Sequence, residues 1–259
     1  MSEDAAEVGT DTAEDLGGQM SLVDHLEELR NRLIKSVGAI FLGAIVAWIL
    51  YPQIYDFLVQ PLCDILPPDE CRLVITDPVQ GLSTRMRVAG YGGVALAMPV
   101  LLWQLWRFVT PGLYPRERRL AIPFVGSALL LFFLGAGLAY WTLPRALEFL
   151  ITIGGDLEPF FTPDKYIQLI VYMMLAFGIG FEFPILLIFL QMAGILSNER
   201  LRSWRRYAII GIVVMVAVIT PSGDPISLAV LSVPMYLFYE ASILIGRIIL
   251  GRRAKADAD

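Results

Sequence analysis

The sequence predicts an all-α, polytopic integral membrane protein with six transmembrane helices and both termini on the cytoplasmic side. Hydrophobic residues make up 56% of the 259 positions and charged residues only 17%, against roughly 45–50% and about 25% in soluble domains. A chain this short cannot hide so much apolar side chain in one soluble core, so the surplus faces lipid. The apolar residues fall into runs near the ~20 residues that a helix needs to cross hydrocarbon. Basic residues gather beside alternate gaps between those runs, 15 of the 20 on one side. That bias sets the orientation, because lysine and arginine stay cytoplasmic.

Residues 1–20 carry six acids, no base and no aromatic, the composition of a disordered acidic tail. With neither a basic n-region nor an apolar h-region it is no secretory signal, so the first span is expected to serve as an uncleaved insertion signal. Ser21 to Leu33 reads as an amphipathic helix lying on the cytoplasmic interface. Ser21 caps it, Asp24 completes a capping box, and Leu22, Leu26, Leu29 and Leu33 form an apolar stripe. Long spans follow at Leu33–Tyr51, Val88–Trp106, Leu120–Leu143 and Tyr166–Leu196. Two shorter runs, Tyr207–Thr220 and Ile226–Tyr239, hold 14 residues each, about 21 Å of helix. Short fifth and sixth helices cannot cover the ~30 Å hydrocarbon layer. Either the bilayer thins beside them or the other spans bury them.

The exported loops are then 52–87, 144–165 and 221–225, the first two rich in proline and glycine and expected to form a cap of short helices and turns. Cys63 and Cys71 both fall in the first loop. On an oxidising side they pair as a disulfide or remain two free thiols. Glycine and proline also recur inside the spans, notably at Gly135, Gly178, Pro99, Pro184 and Pro234. Small residues allow close packing and prolines kink helices, so a kinked, concave wall is expected. The membrane domain covers 21–250 and a cytoplasmic tail covers 251–259.

One histidine and two cysteines leave no zinc or haem constellation. There is no phosphate-cradling GxxxxGK[ST] loop and no GxSxG elbow. The chain reads as a non-enzyme without cofactor or metal. An ion-coupled secondary transporter of a small solute is the alternative. It would want several ionisable groups at the midplane, and Glu182 is the single carboxylate deep within a span.

Two carboxylates lie among the cytoplasmic bases. Glu28 precedes Arg32 by one turn, and an i,i+4 pair is the plain reading. Glu117, between Arg116 and Arg118 in a loop shaped by Thr-Pro-Gly and Tyr-Pro, neutralises its neighbours on the same plain reading. Glu182 near mid-membrane is costly unless hydrated or paired; a protonated carboxyl bonded within the bundle would also satisfy it. Asp224 can cap the helix that starts at Ile226.

His25-Leu-Glu-Glu-Leu-Arg-Asn-Arg-Leu33 resembles the N-terminal signature of the twin-arginine translocase C subunit family. Trp106-Arg-Phe-Val-Thr-Pro-Gly-Leu-Tyr-Pro-Arg-Glu-Arg-Arg119 is similar to that family's first cytoplasmic loop. Phe177-Gly-Ile-Gly-Phe-Glu-Phe-Pro184 resembles its fourth helix and Thr220-Pro-Ser-Gly-Asp-Pro225 its last exported turn. The resemblance covers roughly residues 20–250 in order, and the acidic tail lies outside it. It implies a multi-pass protein of the bacterial cytoplasmic membrane that receives Arg-Arg signal peptides of folded proteins and nucleates the translocase. The carboxylates matching Glu28 and Glu117 would take the two arginines, since a guanidinium fork fits a carboxylate bidentately and lysine does not. Phe108 and Arg30 would belong to the same site. Glu182, with Thr220 and Asp224, would meet partner subunits: a single-span A subunit, a B subunit where one exists, and other copies of the chain. Energy would come from the proton-motive force.

Overall fold

The computed structural model describes residues 22–67, 71, 73–109, 121–155, 161–220 and 223–256. Among these residues there is no strand, and they form nine helices. In chain order these are α1 (Leu22–Ile49), α2 (Tyr51–Cys63), α3 (Gln80–Val109), α4 (Ala121–Ile153), α5 (Pro163–Phe181), α6 (Phe183–Met192), α7 (Asn198–Ser203), α8 (Arg205–Ile219) and α9 (Pro225–Ala256). Five stretches are long and apolar enough to cross a membrane: Leu26–Ile49, Gln80–Phe108, Ile122–Ile153, Pro163–Met192 and Pro225–Ile248. The remaining expected span is α8, which at 15 residues falls short in length.

The helices run into the expected exported loops, with α3 starting at Gln80 and not Val88 and α4 ending at Ile153 and not Leu143, and three further differences have a local reason. Among the described residues, no separate interfacial helix covers 22–33. Instead α1 runs unbroken over 28 residues, because it holds no proline and the Glu28–Arg32 pair braces the turn at its polar end. The expected long fourth span divides at Glu182. Pro184 lacks the amide that would continue the ladder, and the Glu182 amide bonds the Ile179 carbonyl at 3.0 Å instead. The last helix is not short: α9 has 32 residues and continues through Ala256, absorbing the start of the expected tail. Hydropathy falls at Glu240, yet the helix survives because the Glu240 carboxylate accepts from Arg205 at 2.6 Å and from the Tyr236 hydroxyl at 3.1 Å. The acidic tail at 1–20 lies outside the described residues.

Helix packing follows from glycine. A methyl at Gly43 would sit 2.6 Å from the Gly93 carbonyl oxygen, and one at Gly93 would sit 2.7 Å from the Ala44 amide. The backbones of α1 and α3 therefore touch, as small residues allow in lipid. Between α4 and α5, a methyl at Gly135 would meet the Phe177 carbonyl at 2.5 Å. The core lies where α5 is enclosed, around fully buried Ile167, Ile170, Met173 and Phe177, with Leu231 and Met235 from α9. Polar contacts tie α6 and α7 to α9: Gln191 of α6 donates to the Ser242 carbonyl at 3.1 Å and Asn198 of α7 to the Ile243 carbonyl at 2.6 Å.

At the end assigned by charge to the exported side, α2 folds against α4 and α5. Pro61 sits inside α2 and cannot donate to the Phe57 carbonyl. The Tyr140 hydroxyl donates there instead at 2.9 Å, with its ring stacked on Phe57, and the Tyr166 hydroxyl donates to the Leu58 carbonyl at 2.9 Å. Cys63 and Cys71 are joined by a disulfide, their Cα atoms 5.2 Å apart. Arg87 pairs with Asp164 at 2.8 Å, tying the start of α3 to that of α5.

Candidate functional site

Glu28 stands on the first turns of α1, with its side chain 22% exposed. Arg32 lies one turn on and donates through Nε to Glu28 Oε1 at 3.1 Å. Its Nη1 reaches the Gln104 amide oxygen of α3 at 3.5 Å. The other carboxylate oxygen, Glu28 Oε2, is buried and has no hydrogen-bond partner among the described residues. Such an oxygen favours an incoming donor, because an unsatisfied buried acceptor costs about 1–3 kcal/mol, more when charged. The pairing that the spacing suggested is therefore present, and it engages only one side of the carboxylate.

The register of α1 against α3 shows what lies opposite. Arg32 faces Gln104, Gly43 faces Gly93, and Arg85 donates to the Trp48 carbonyl at 3.2 Å with its guanidinium over the Trp48 ring. Extending this antiparallel register one turn puts Glu28 level with Phe108, the half-buried residue near the end of α3. Just beyond it, Trp106 is buried and packs on Phe124 with ring centroids 4.3 Å apart, joined by Met192 and Phe189. This cluster holds the end of α3 to the start of α4 and to α6. The end of α3 and the start of α4, which flank residues 110–120, are thereby held together. Glu117 itself, with Arg116 and Arg118, lies outside the described residues. Arg30 is exposed and pairs with Glu27 at 3.7 Å, not with Glu28.

The intramembrane polar residues are spread over two places. Glu182 lines a groove of about 500 Å³ among α3, α4, α5, α6, α8 and α9. The other lining side chains are apolar, including Leu105, Phe124, Phe189, Met215 and Met235. Glu182 Oε1 is buried and has no partner among the described residues. Thr220 and Asp224 flank the turn between α8 and α9, 4% and 2% exposed. Asp224 accepts from the Ser227 amide at 2.6 Å and so caps α9. Gly223 completes the turn at φ +59°, a left-handed conformation natural to glycine.

Sequence reasoning missed Gln104, which positions Arg32 and carries no motif. It is found only through the helix register. The unengaged oxygen of Glu28 was equally invisible, since spacing shows that a pair can form but not how much of the carboxylate it occupies.

Three comparisons bear on this arrangement. The model of the Sec-independent protein translocase protein (TatC) family matches residues 24–234. A Sec-independent protein translocase protein TatC from Magnetococcus marinus is 39% identical over 246 residues, covering 94% of this chain and 90% of that one. One from Aquifex aeolicus is 37% identical over 233 residues, covering 88% and 95%. A crystal structure of a twin arginine translocase receptor, TatC, superposes with a TM-score of 0.73 at 37% identity, over 86% of this chain and 98% of that one. With a family match across most of its length and a solved relative of the same fold, the chain belongs to the TatC family of multi-pass membrane components of the twin-arginine translocase.

Proposed function

We propose that this protein is the receptor for Arg-Arg signal peptides and that Glu28 and Glu117 each take one arginine at the cytoplasmic face. The observation that carries this reading is the half-engaged Glu28 carboxylate, level with Phe108 at the end of α3. Arg32 leaves Oε2 without a partner, and the planar fork of a guanidinium suits a carboxylate better than an ammonium does. The arginines around Glu117 would repel a ligand that offered only positive charge. Phe108 would meet the apolar residues next to the arginine pair. Both chain termini then lie on the same face, as the basic residues require.

The receptor nucleates a larger assembly. Glu182, alone among apolar neighbours, supports the docking of a single-span subunit that brings a hydrogen-bond donor into the groove. An A subunit, a B subunit where one exists, and further copies of the chain are the proposed partners, driven by the proton-motive force.

The deciding experiment is binding of a fluorescent Arg-Arg signal peptide to the detergent-purified protein, compared with a Lys-Lys peptide and with Glu117→Ala. The Arg-Arg peptide is expected to bind about tenfold or more tightly than the Lys-Lys peptide, and Glu117→Ala to abolish the difference. Equal binding of both peptides, unchanged in the variant, refutes the receptor reading and favours the ion-coupled solute transporter.

A further inference from the structure

A recess between α7, the start of α8 and the 240–247 stretch of α9 encloses about 380 Å³ and is lined by Arg202, Arg205, Glu240, Leu244 and Arg247. Three guanidinium groups thus surround a single carboxylate. That carboxylate is already engaged at both oxygens, by Arg205 at 2.6 Å and by the Tyr236 hydroxyl at 3.1 Å. Among the described residues, no carboxylate lies within ion-pair distance of Arg202 or Arg247. The recess is therefore cationic, and its two unmatched forks have the geometry that grips phosphate.

Its depth and its rim identify the kind of phosphate. The apolar stretch of α9 ends at Ile248, beside Arg247, so the recess sits where hydrocarbon gives way to headgroups. From it an exposed apolar face runs back along α9 through Ile248, Leu244 and Leu237, which are 48%, 60% and 61% exposed. A soluble anion would have no use for that face, whereas a lipid fills both parts at once. A zwitterionic lipid would bring its ammonium next to three guanidinium groups. Basic pockets between spans at the membrane surface are suited to acidic headgroups.

We propose that this recess binds one anionic membrane phospholipid, its phosphate held by Arg202 and Arg247 and an acyl chain laid along Leu244 and Leu237. The site lies apart from Glu28 and does not depend on signal-peptide recognition.

The test is native mass spectrometry of the purified full-length protein titrated with dioleoyl phosphatidylglycerol, dioleoyl phosphatidylcholine or inorganic phosphate. Phosphatidylglycerol is expected to bind about tenfold more tightly than phosphatidylcholine, and the double variant Arg202→Gln/Arg247→Gln to lose that advantage. Arg145→Gln/Lys165→Gln removes the same charge elsewhere on the protein and is expected to leave it intact. Arg247→Lys keeps a charge without the fork and is expected to fall between. Helical circular dichroism confirms that each variant is folded. Three results overturn the proposal: equal binding of the two lipids, equal loss in both double variants, or displacement of phosphatidylglycerol by millimolar inorganic phosphate.

Discussion

Glu28 and Arg32 would pass in most membrane proteins for an ordinary intrahelical pair worth a few tenths of a kcal/mol. Here the pair is held between two helices, with Arg32 only 14% exposed, and Gln104 fixes the arginine from the far side. Under the proposed receptor role, a ligand guanidinium would meet a carboxylate already aimed. Glu28→Gln keeps the shape and removes the charge, so Arg-Arg peptide affinity is expected to fall about tenfold, or ~1.4 kcal/mol. Fluorescence anisotropy checks this, and an unchanged affinity would leave Glu28 a structural residue. Arg30 is different, because it pairs with Glu27 in solvent and exposed pairs contribute roughly 0–1 kcal/mol. Arg30→Gln is expected to change peptide affinity by less than about twofold. At this scale the i,i+4 spacing of Glu28 and Arg32 was legible as the pair the structure contains, while Glu117 lies outside the described residues. Gln104 and the free side of Glu28 depend on which turn of α3 faces which turn of α1, and local spacing carries no record of that.

Elements were legible by their apolar runs and misread at their ends. Leu33 and Tyr239 marked changes in hydropathy, but a helix stops where its hydrogen bonds stop, and polar residues with partners continue it. Arg205 does this for Glu240 from another helix. Glycine contacts were legible in kind and not in partner. Gly93 proves to be where α3 touches α1, with no space for a side chain. Gly93→Val should force the helices apart at a cost of about 1–3 kcal/mol and disturb the register that sets Glu28 against Phe108. A lowered Tm together with weakened peptide binding is expected, and Gly126→Val, in open space on α4, is expected to change neither. The disulfide acts at the opposite end. It closes a short loop after α2, so Cys63→Ser is expected to cost about 2 kcal/mol. Thermal unfolding of the two proteins should differ in oxidising buffer and coincide under reductant, with peptide binding unaffected.

For the molecule as a whole, the unresolved tension is between one short helix and a bilayer of fixed thickness. Hydropathy predicted two short spans, and the fold leaves one. The 15 residues of α8 reach about 22 Å, some 8 Å less than a ~30 Å hydrocarbon core. The bundle does not hide this helix. Only Ile212 and Val216 are buried along it, while Tyr207, Ile210 and Val218 are 74%, 64% and 79% exposed. Nor can α8 lengthen, since α7 and its arginines precede it and a turn made by Thr220, Gly223 and Asp224 follows it. Local thinning of the lipid is the expected response, because mismatch is relieved by whichever partner is softer. The groove around Glu182 borders the same helix through Met215 and Ile219, so a subunit docked there would stand in the thinned zone. Single cysteines at Tyr207, Ile210, Val214 and Val218 can be mapped for depth with lipids brominated at set positions along their chains. The two native cysteines are tied to each other, so each introduced thiol is the one labelled. Expected is a compressed profile, with Tyr207 and Val218 both at interfacial depth and only Ile210 and Val214 quenched from mid-chain. A profile that keeps Val218 deep within a normal hydrocarbon layer would rule out thinning and require α8 to be covered by another protein helix.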